Sequence, residues 1–362
     1  MPNRPLAVRY EDDFRLLAGR WERVGVALLV VIVLAYPLVA TTNWVTVANL
    51  ALVAVVGSVA LMILTGFTGQ ISLGHAAFLA IGAYTTAILG TQFALPFWLL
   101  LPVSGLLAAA VGLAIGPFAL RLEGLYLAIV TIGLAFLTNH VLLSFPEHTG
   151  GMAGLAVPIH VGFGEAPGAL SAFTETQRLG PLELNFERKL YAIFLVIATL
   201  TVLAARNLAR SNTGRAMMAV RDHDVAAAVM GVNPARTKIV AFGISSFFAG
   251  IAGGMFALQQ QYITVDPPFN LLLSVQYIAM IVLGGVGTVF GAVWGALAFV
   301  FLSPLLEMLG RATPGLDQLS SSLQSTLLFA ILVITCLVFE PLGLYGLWLR
   351  AKRYFMAWPF RY

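Results

Sequence analysis

Charge is scarce in this sequence. Of 362 residues only 10% are Asp, Glu, Lys or Arg, against about a quarter in a soluble domain. No charged residue occurs between Arg23 and Arg121, or from Pro267 to Leu306. A charge at mid-bilayer costs on the order of 2.5 to 3.5 kcal/mol, so these gaps mark lipid-embedded stretches. Cysteine is scarcer still: Cys336 stands alone in an apolar run, which excludes an intrachain disulfide. With only Lys189, Lys238 and Lys352, the chain has no Gly-x-x-x-x-Gly-Lys-[Ser/Thr] loop to cradle ATP phosphates. It also lacks a Cys/His metal spacing, a serine nucleophile elbow and a carboxylate pair at membrane depth. The expectation is a chain that is no enzyme, holds no cofactor or metal, and leaves any ATP hydrolysis to another subunit. No basic, aromatic-interleaved soluble face suggests nucleic acid.

What is present is apolar: 59% hydrophobic residues and a mean hydropathy of +0.91. At about 20 residues per crossing, the candidate segments are roughly 24–40, 46–66, 71–91, 96–118, 124–144, 189–206, 239–262, 271–286, 289–306 and 322–340. The fold class is therefore an all-α polytopic membrane protein of about ten transmembrane or re-entrant helices, eight if the short, Gly-broken pieces are re-entrant. The first apolar run leads into further spans and reads as an uncleaved anchor rather than a secretory signal. Basic residues set orientation. Arg4, Arg9, Arg15, Arg20 and Arg23 place the N-terminus in the cytoplasm, and Arg350, Lys352, Arg353 and Arg361 the C-terminus. Residues 1–23 and 350–362 flank a permease-like region, 24–349, and mix basic with aromatic residues as interfacial anchors do. Residues 145–188 carry Glu147, Glu165, Glu175, Glu183 and Glu187 with Pro158, Pro167 and Pro181; they are expected outside, as an ordered loop or short-helix cap. The segment 207–238, with Arg206, Arg210, Arg215, Arg221, Arg236 and Lys238 at or within its ends, is expected inside. Glu123, Asn139, His140, Gln259, Gln260, Gln261 and Glu307 fall near span ends, within reach of water.

Two stretches interrupt the apolar pattern. Thr65 to His75 gathers Gly66, Gly69, Gln70, Ser72, Gly74 and His75, and Leu283 to Gly291 gathers Gly284, Gly285, Gly287 and Thr288. Lipid cannot satisfy a broken backbone, and paired breaks in the two halves of a chain point to a translocation path at the centre of the membrane. The two breaks are read as facing one another across that path, an arrangement that an inverted repeat permits. The competing reading is close helix packing, since Gly287, Gly291 and Gly295 form a small-xxx-small ladder. A helix starting at Ser72 puts Gln70 and His75 about one turn apart. Either contacts solute or satisfies freed backbone, and for His75 an interhelical bond is the expected role; Gln276 is weighed in the same way. In the inner loop, Met217, Met218, Val220, Val225, Val229 and Met230 alternate with charges around an alanine run. That pattern suits a short helix docking into a partner groove, or lying on its own bundle.

Several blocks resemble the LivM-type permease subunits of branched-chain amino acid ABC importers. They are Thr68 to Phe78 with Gly82-Ala-Tyr84, Gly124 to Thr131, Thr149 to Gly151 with Gly154-Leu155, Gly214-Arg-Ala216, Arg221-Asp-His-Asp224, Ala226-Ala227, Met230-Gly231 and Val282 to Gly287. The resemblance implies a multi-pass subunit of a bacterial or archaeal plasma (inner) membrane. Its implied partners are a LivH-like second permease, two ATP-binding subunits and an extracytoplasmic solute-binding protein. It places an ATPase-coupling helix within Arg215 to Gly231, with Gly214, Arg215, Arg221, Asp222, Asp224, Ala226, Ala227 and Gly231 as the coupling residues. The chain departs from the family pattern at His223, Val225 and Ala228, where acidic residues are common. Branched-chain or other aliphatic amino acids are the implied solutes, with urea, short amides or organic acids as the alternative. A stand-alone secondary transporter explains the paired breaks too, but needs an intramembrane coupling-ion site; a membrane-embedded enzyme needs a reactive group beyond His75 and Cys336.

Overall fold

In the computed structural model, residues 20–119, 124–162, 173, 177–179, 182–312, 330–331, 334–335 and 343–357 are described. Glu123, Glu165, Glu175, Pro167, Pro181, Cys336, most of the 322–340 segment, the N-terminal 19 residues and the last five lie outside them.

The architecture is helical: α1 (Arg20–Val39), α2 (Thr42–Met62, continuing into a π-helical turn, Ile63–Phe67), α3 (His75–Phe93), α4 (Phe97–Ala119), α5 (Leu125–Ser144), α6 (Phe186–Arg210), α7 (Asn212–Asp222), α8 (Asp224–Val229), α9 (Pro234–Gln260), α10 (Leu271–Gly284), α11 (Val289–Ala312) and α12 (Gly343–Ala357). Six helices, α2 to α6 and α9, are long and apolar enough to cross a membrane. The expected segments 271–286 and 289–306 correspond to α10 and α11, which are bent at 118° to each other and add a seventh span if counted as one. With 14 residues, α10 is roughly 21 Å long, too short to cross alone. In α1 the apolar part is the shorter Val30–Val39.

At the centre α9 packs against α2, α3 and α4. At several points of this contact small residues let the helices approach very closely. A Cβ on Gly82 would lie 2.0 Å from the Gly250 carbonyl oxygen, one on Gly253 2.0 Å from that of Leu79, and one on Gly112 2.1 Å from Ser246 Oγ. Backbones meeting this closely gain dispersion contact where the hydrophobic effect offers none. Hydroxyls complete the seam: Ser104 Oγ donates to Gly250 O at 3.2 Å and Ser245 Oγ to Ala60 O at 2.7 Å.

The 27 residues of α9 span roughly 40 Å and define the two ends of the bundle. At its C-terminal end, β4 (Tyr262–Ile263) pairs antiparallel with β1 (Leu155–Ala156). The short turns Pro146–Thr149 and Gly151–Ala153 and the hairpin of β2 (Gln177–Leu179) with β3 (Leu182–Leu184) complete the described cap. Here the structure corrects the expectation for Gln259. It is buried, and its Nε2 donates to Glu187 Oε2 at 2.8 Å, while buried Asn49 donates to the same oxygen at 3.0 Å. A carboxylate at the foot of α6 thus ties α2, α6 and α9 together, and two amides take the place of water. At the opposite end of α9 lie α7 and α8.

Gly253→Val, which drives a branched side chain into the Leu79 carbonyl, is expected to cost about 1–3 kcal/mol or more, the penalty of overpacking. Gly133→Ala in α5, where a Cβ meets nothing within 4 Å, is expected to be neutral or to add up to about 1 kcal/mol through helix propensity. Thermal unfolding in detergent, followed by intrinsic fluorescence, checks both, and equal melting temperatures contradict the backbone seam.

Candidate functional site

The first break begins where α2 loosens into the π turn. Thr68 Oγ1 donates to Leu64 O at 2.6 Å, Thr65 Oγ1 to Gln70 O at 3.1 Å, and Gly69 turns the chain with φ +71°. The helix restarts at His75 rather than Ser72. The reason lies in the neighbours: Leu73 N donates to Thr131 Oγ1 at 3.0 Å, Ala76 N donates to Ser274 Oγ at 2.9 Å, and Ser72 Oγ accepts from Gly74 N at 3.4 Å. The Ser274 hydroxyl on α10 captures the Ala76 amide that a helix from Ser72 would bond to Ser72 O, and the Thr131 hydroxyl on α5 satisfies the Leu73 amide. Gly74 is pressed against α5, where a Cβ would lie 2.4 Å from the Thr131 carbonyl oxygen.

Gln70 and His75 consequently part company. His75 is buried, stands edge-on to Tyr277 with ring centroids 4.9 Å apart, and has a backbone hydrogen bond to Gly57. It joins α2, α3 and α10. Gln70 is only 6% exposed, and neither its Oε1 nor its Nε2 has a protein partner. Gln276 lies apart from both, on a mostly apolar cavity of about 360 Å³ whose lining includes Tyr277, Phe256 and Phe299.

The second break divides its glycines between two tasks. Gly284, Gly291 and Gly295 bring α10 and α11 backbone to backbone; a Cβ on Gly284 would sit 1.8 Å from Gly291 O and one on Gly295 1.9 Å from Met280 O. The packing reading of the ladder therefore holds for Gly291 and Gly295, and Gly284 takes part in the same contact. Gly285 (φ +119°) and Gly287 (φ +85°) make the turn. Thr288 caps α11, its Oγ1 donating to Gly285 O and accepting from Gly291 N, both at 3.1 Å.

The two breaks touch. A Cβ on Gly66 would lie 2.9 Å from both Cα and N of Gly287, so they abut where the sequence suggested a gap between them. They also lie at one end of the bundle rather than at its centre, as their shared partner shows. Arg221, the penultimate residue of α7, donates from Nη1 to Gly66 O at 2.8 Å. A Cβ on Gly69 would meet its Cγ at 3.1 Å, and one on Gly287 its Nη1 at 3.2 Å. The guanidinium is steadied by Asp222 Oδ1, 2.9 Å from Nε and 2.8 Å from Nη2. A helix that ends at a break leaves carbonyls unpaired and a partial negative charge, and Arg221 answers both.

The loop that presents Arg221 forms two helices broken at His223, where one was expected. Ser211 caps α7, its Oγ accepting from Gly214 N at 3.1 Å, and Gly214 lets α7 lie against α6, where a Cβ would be 1.9 Å from Leu208 O. Arg215 returns to Arg210 O at 2.9 Å and to Asn212 Oδ1. Asp224 Oδ1 accepts from Val225 N at 2.7 Å, and Gly231 (φ +86°) ends α8 in open space. The apolar residues divide cleanly. Met217, Val220 and Ala227 are buried and anchor the loop, whereas Val225, Val229 and Met230 are 66%, 82% and 83% exposed and Ala226 is also exposed. Between loop and first break lies a cavity of about 380 Å³, lined by Thr68, Gln70, Arg221, Asp222, Asp224 and Lys238 among others. The junction residues that sequence reasoning missed, Ser274 and Tyr277, had only one signal, polar side chains inside an apolar span, while Thr131 stood out only as the end of the Gly124 to Thr131 block. Among the described residues no group of three or more His, Cys, Asp or Glu is placed to hold a metal.

Residues 43–336 match the family described as branched-chain amino acid transport system / permease component. The chain is 31% identical over 336 residues to the high-affinity branched-chain amino acid transport system permease protein LivM of Escherichia coli K12, covering 89% of this chain and 75% of that protein. It is 27% identical over 298 residues to LivH of Salmonella typhimurium, covering 78% and 87%. It is 31% identical over 219 residues to the autoinducer 2 import system permease protein LsrC of an Enterobacter species, covering 58% and 57%. No solved structure matches the chain.

Replacing Arg221 by Met removes a charge-assisted bond worth about 1.5–3 kcal/mol. Where cleavage follows the open population, with about 1.4 kcal/mol per tenfold, tryptic cutting at Arg215 and Arg236 is expected to quicken roughly 10- to 100-fold. An unchanged cutting rate means that the loop is held by Met217 and Val220 without Arg221.

Proposed function

This chain belongs to the branched-chain amino acid transport system permease family, and from that membership we infer that it is the membrane-spanning subunit of an ABC importer, carrying branched-chain or other aliphatic amino acids. The observation that carries the mechanism is Arg221: one side chain on an exposed loop reaches both broken segments at once. Kinship to both LivM and LivH supports a pair of unlike permeases, with this chain in the LivM position and a LivH-like chain beside it. Two ATP-binding subunits and an extracytoplasmic solute-binding protein complete the assembly, which sits in a bacterial inner membrane. ATP is bound and hydrolysed by the partner subunits, and this chain contributes no catalytic group and needs no cofactor of its own.

In this reading the α7–α8 loop is cytoplasmic. Both termini lie on that side, as the arginines and lysines near each end favour. The start of α12 supports it, since Gly343 packs against Gly284 and Gly285 at the Arg221 end of the bundle. Val225, Val229 and Met230 form the apolar tip that enters a groove on an ATPase subunit; exposed methionine and branched side chains suit such a contact. Gly214, Arg215, Asp222, Asp224, Ala226, Ala227 and Gly231 shape the two helices that carry the tip. When nucleotide drives the ATPases together, the loop is displaced and Arg221 conveys the displacement to Gly66, Gly69 and Gly287. Two rigid breaks linked by one side chain move together, as expected of packed elements with discrete arrangements. Gly69, Gln70, Ser72 and Gly74, with Gly285, Gly287 and Thr288 packed beside them, close the cytoplasmic end of the path. The apolar character of the bundle and the absence of fixed charge along α3 and α10 favour a small aliphatic solute without net charge.

Purification of the tagged chain from its native membrane in mild detergent is expected to recover a second permease and two ATPase subunits. Replacing Val225, Val229 and Met230 together by Ser is expected to lower ATPase recovery at least about tenfold, equivalent to about 1.4 kcal/mol, while the second permease is retained. Undiminished ATPase recovery places the contact elsewhere. Recovery of the chain alone, moving solute in liposomes without ATP, overturns the importer reading.

A further inference from the structure

One polar side chain at membrane depth is so far without a task. Gln276 lies on α10, inside the stretch from Pro267 to Leu306 that carries no charge, and it lines the apolar cavity of about 360 Å³. It differs from Gln70 in being half-buried, with an amide that the protein does not seal off and that makes no hydrogen bond among the described residues. The Tyr277 hydroxyl, on the same lining, is likewise neither sealed off nor bonded among them. Polar groups inside a bundle ordinarily bond across to a neighbouring helix. Here the facing wall is apolar: Leu50 from α2, Leu79 from α3, Phe256 from α9, and Phe299 and Val300 from α11, with no charged residue. A concave, mostly apolar site of roughly 300–1,000 Å³ with a few polar groups is the usual form of a small-molecule site, and this cavity falls near its lower bound.

The cavity also has a definite place in the bundle. Leu50 adjoins Asn49, whose amide reaches Glu187 at the capped end, and it lies roughly 24 Å along the helix from Gly66. Toward the other end, Tyr277 stands against His75, and Ser274 accepts from Ala76 N at 2.9 Å. One helix, α10, is therefore both a wall of the cavity and a tie to the first break. The cavity sits on the capped side of the point where the two breaks abut.

We propose that this cavity receives the aliphatic side chain of the transported solute on the outer side of the closed breaks, with Gln276 orienting the solute's polar head. The amide donates to the head group's carboxylate and accepts from its ammonium, and the Tyr277 hydroxyl is a second donor. The aliphatic part enters among Leu50, Leu273, Phe256, Phe299 and Val300. An uncharged lining offers an ion no partner, and a lipid chain leaves the amide unpaired. No fixed charge holds the head group, and half-buried Gln276 leaves it part of its water, which suits a station that must release its occupant. This inference rests on the reading of the chain as a subunit of an aliphatic amino acid importer, and it adds to that reading the residues that sense side-chain length.

The test is uptake of L-leucine and L-alanine into liposomes by the full complex of both permeases, ATPases and solute-binding protein, read as the ratio of the two values of Vmax over KM. Both solutes share a head group and pass through the same molecules, so the ratio is unmoved by how much complex assembles. The binding protein's own preference cancels against the unsubstituted complex. A single methylene in an apolar pocket is worth about 10- to 200-fold in discrimination, so Val300→Trp, which fills the cavity from α11, is expected to lower the leucine-to-alanine ratio at least tenfold. Leu50→Trp fills it from α2 with the same expected result and serves if the first variant fails to assemble. Gln276→Leu is expected to lower uptake of both solutes at least tenfold at an unchanged or raised melting temperature, because it removes an unpaired amide; Gln276→Met repeats the comparison. A ratio unchanged in both Trp variants, including a loss shared equally by the two solutes, overturns the site and leaves the cavity to lipid. Full uptake by the Gln276 variants overturns the orienting role. Leucine carried by the unsubstituted complex while the ratio stays fixed in the variants removes this cavity alone. If no aliphatic amino acid is carried, the substrate assignment fails, and the same Trp variants are read with 3-methylbutanamide against acetamide, a like contrast of chain length on a neutral head. A complex that carries neither series overturns the cavity as an aliphatic site as well.

Discussion

A helix broken inside an apolar bundle frees backbone donors and acceptors that lipid cannot satisfy, and most of this structure can be understood as the means of satisfying them. The first break hands its amides to Thr131 and Ser274 on two other helices and its terminal carbonyl, Gly66 O, to Arg221. The second break presses its glycines so tightly against α11 and Gly66 that backbone polar groups lie among backbone rather than lipid. The consequence is that both breaks are tied to neighbouring elements that must move with them.

Rigidity of this kind also explains why so many contacts are made by glycine. At Gly82, Gly253, Gly284 and Gly295 the space for a Cβ is occupied by a carbonyl oxygen of the facing helix. Packed interiors have few voids and low compressibility, so such a seam transmits displacement instead of absorbing it. The outer end is tied by a different device, the Glu187 carboxylate shared by Asn49 and Gln259. The two ends of the bundle are thus built from different chemistry, one from a half-buried acid held by amides, the other from an arginine held by a carbonyl and a neighbouring aspartate.

The positions of the six long spans were legible in the sequence because hydropathy is summed over some twenty residues and tolerates local exceptions. Both glycine breaks were legible for the same reason, as polar or small residues standing out against an apolar background. What was not legible was who meets whom. Ser72 and Gly74 read locally as a helix start, and only Thr131 and Ser274, 58 and 198 residues distant, decide that the helix begins at His75. Gln259 read as a wetted span end, and Glu187 shows it buried. The loop illustrates the limit well: alternating apolar and charged residues announced an amphipathic helix, but the pattern cannot say that Met217 and Val220 point inward while Val229 and Met230 point out.

Arg221 shows how a single residue resolves two readings that seemed to be rivals. A basic residue in an inner loop has an ordinary explanation in topology, since lysine and arginine mark that side of the membrane. Here the same charge lies beside the carbonyl end of a broken helix, where a cation is favoured, and beside glycines that allow its approach. A lysine retains the charge but offers no planar fork to bond a carbonyl and a carboxylate at once. The proposed coupling needs both features: a fixed bond to Gly66 so that motion is passed on, and a flexible stem long enough to reach from an exposed helix into the bundle. The side chain that holds the loop to the break also forms one wall of the cavity at Gln70.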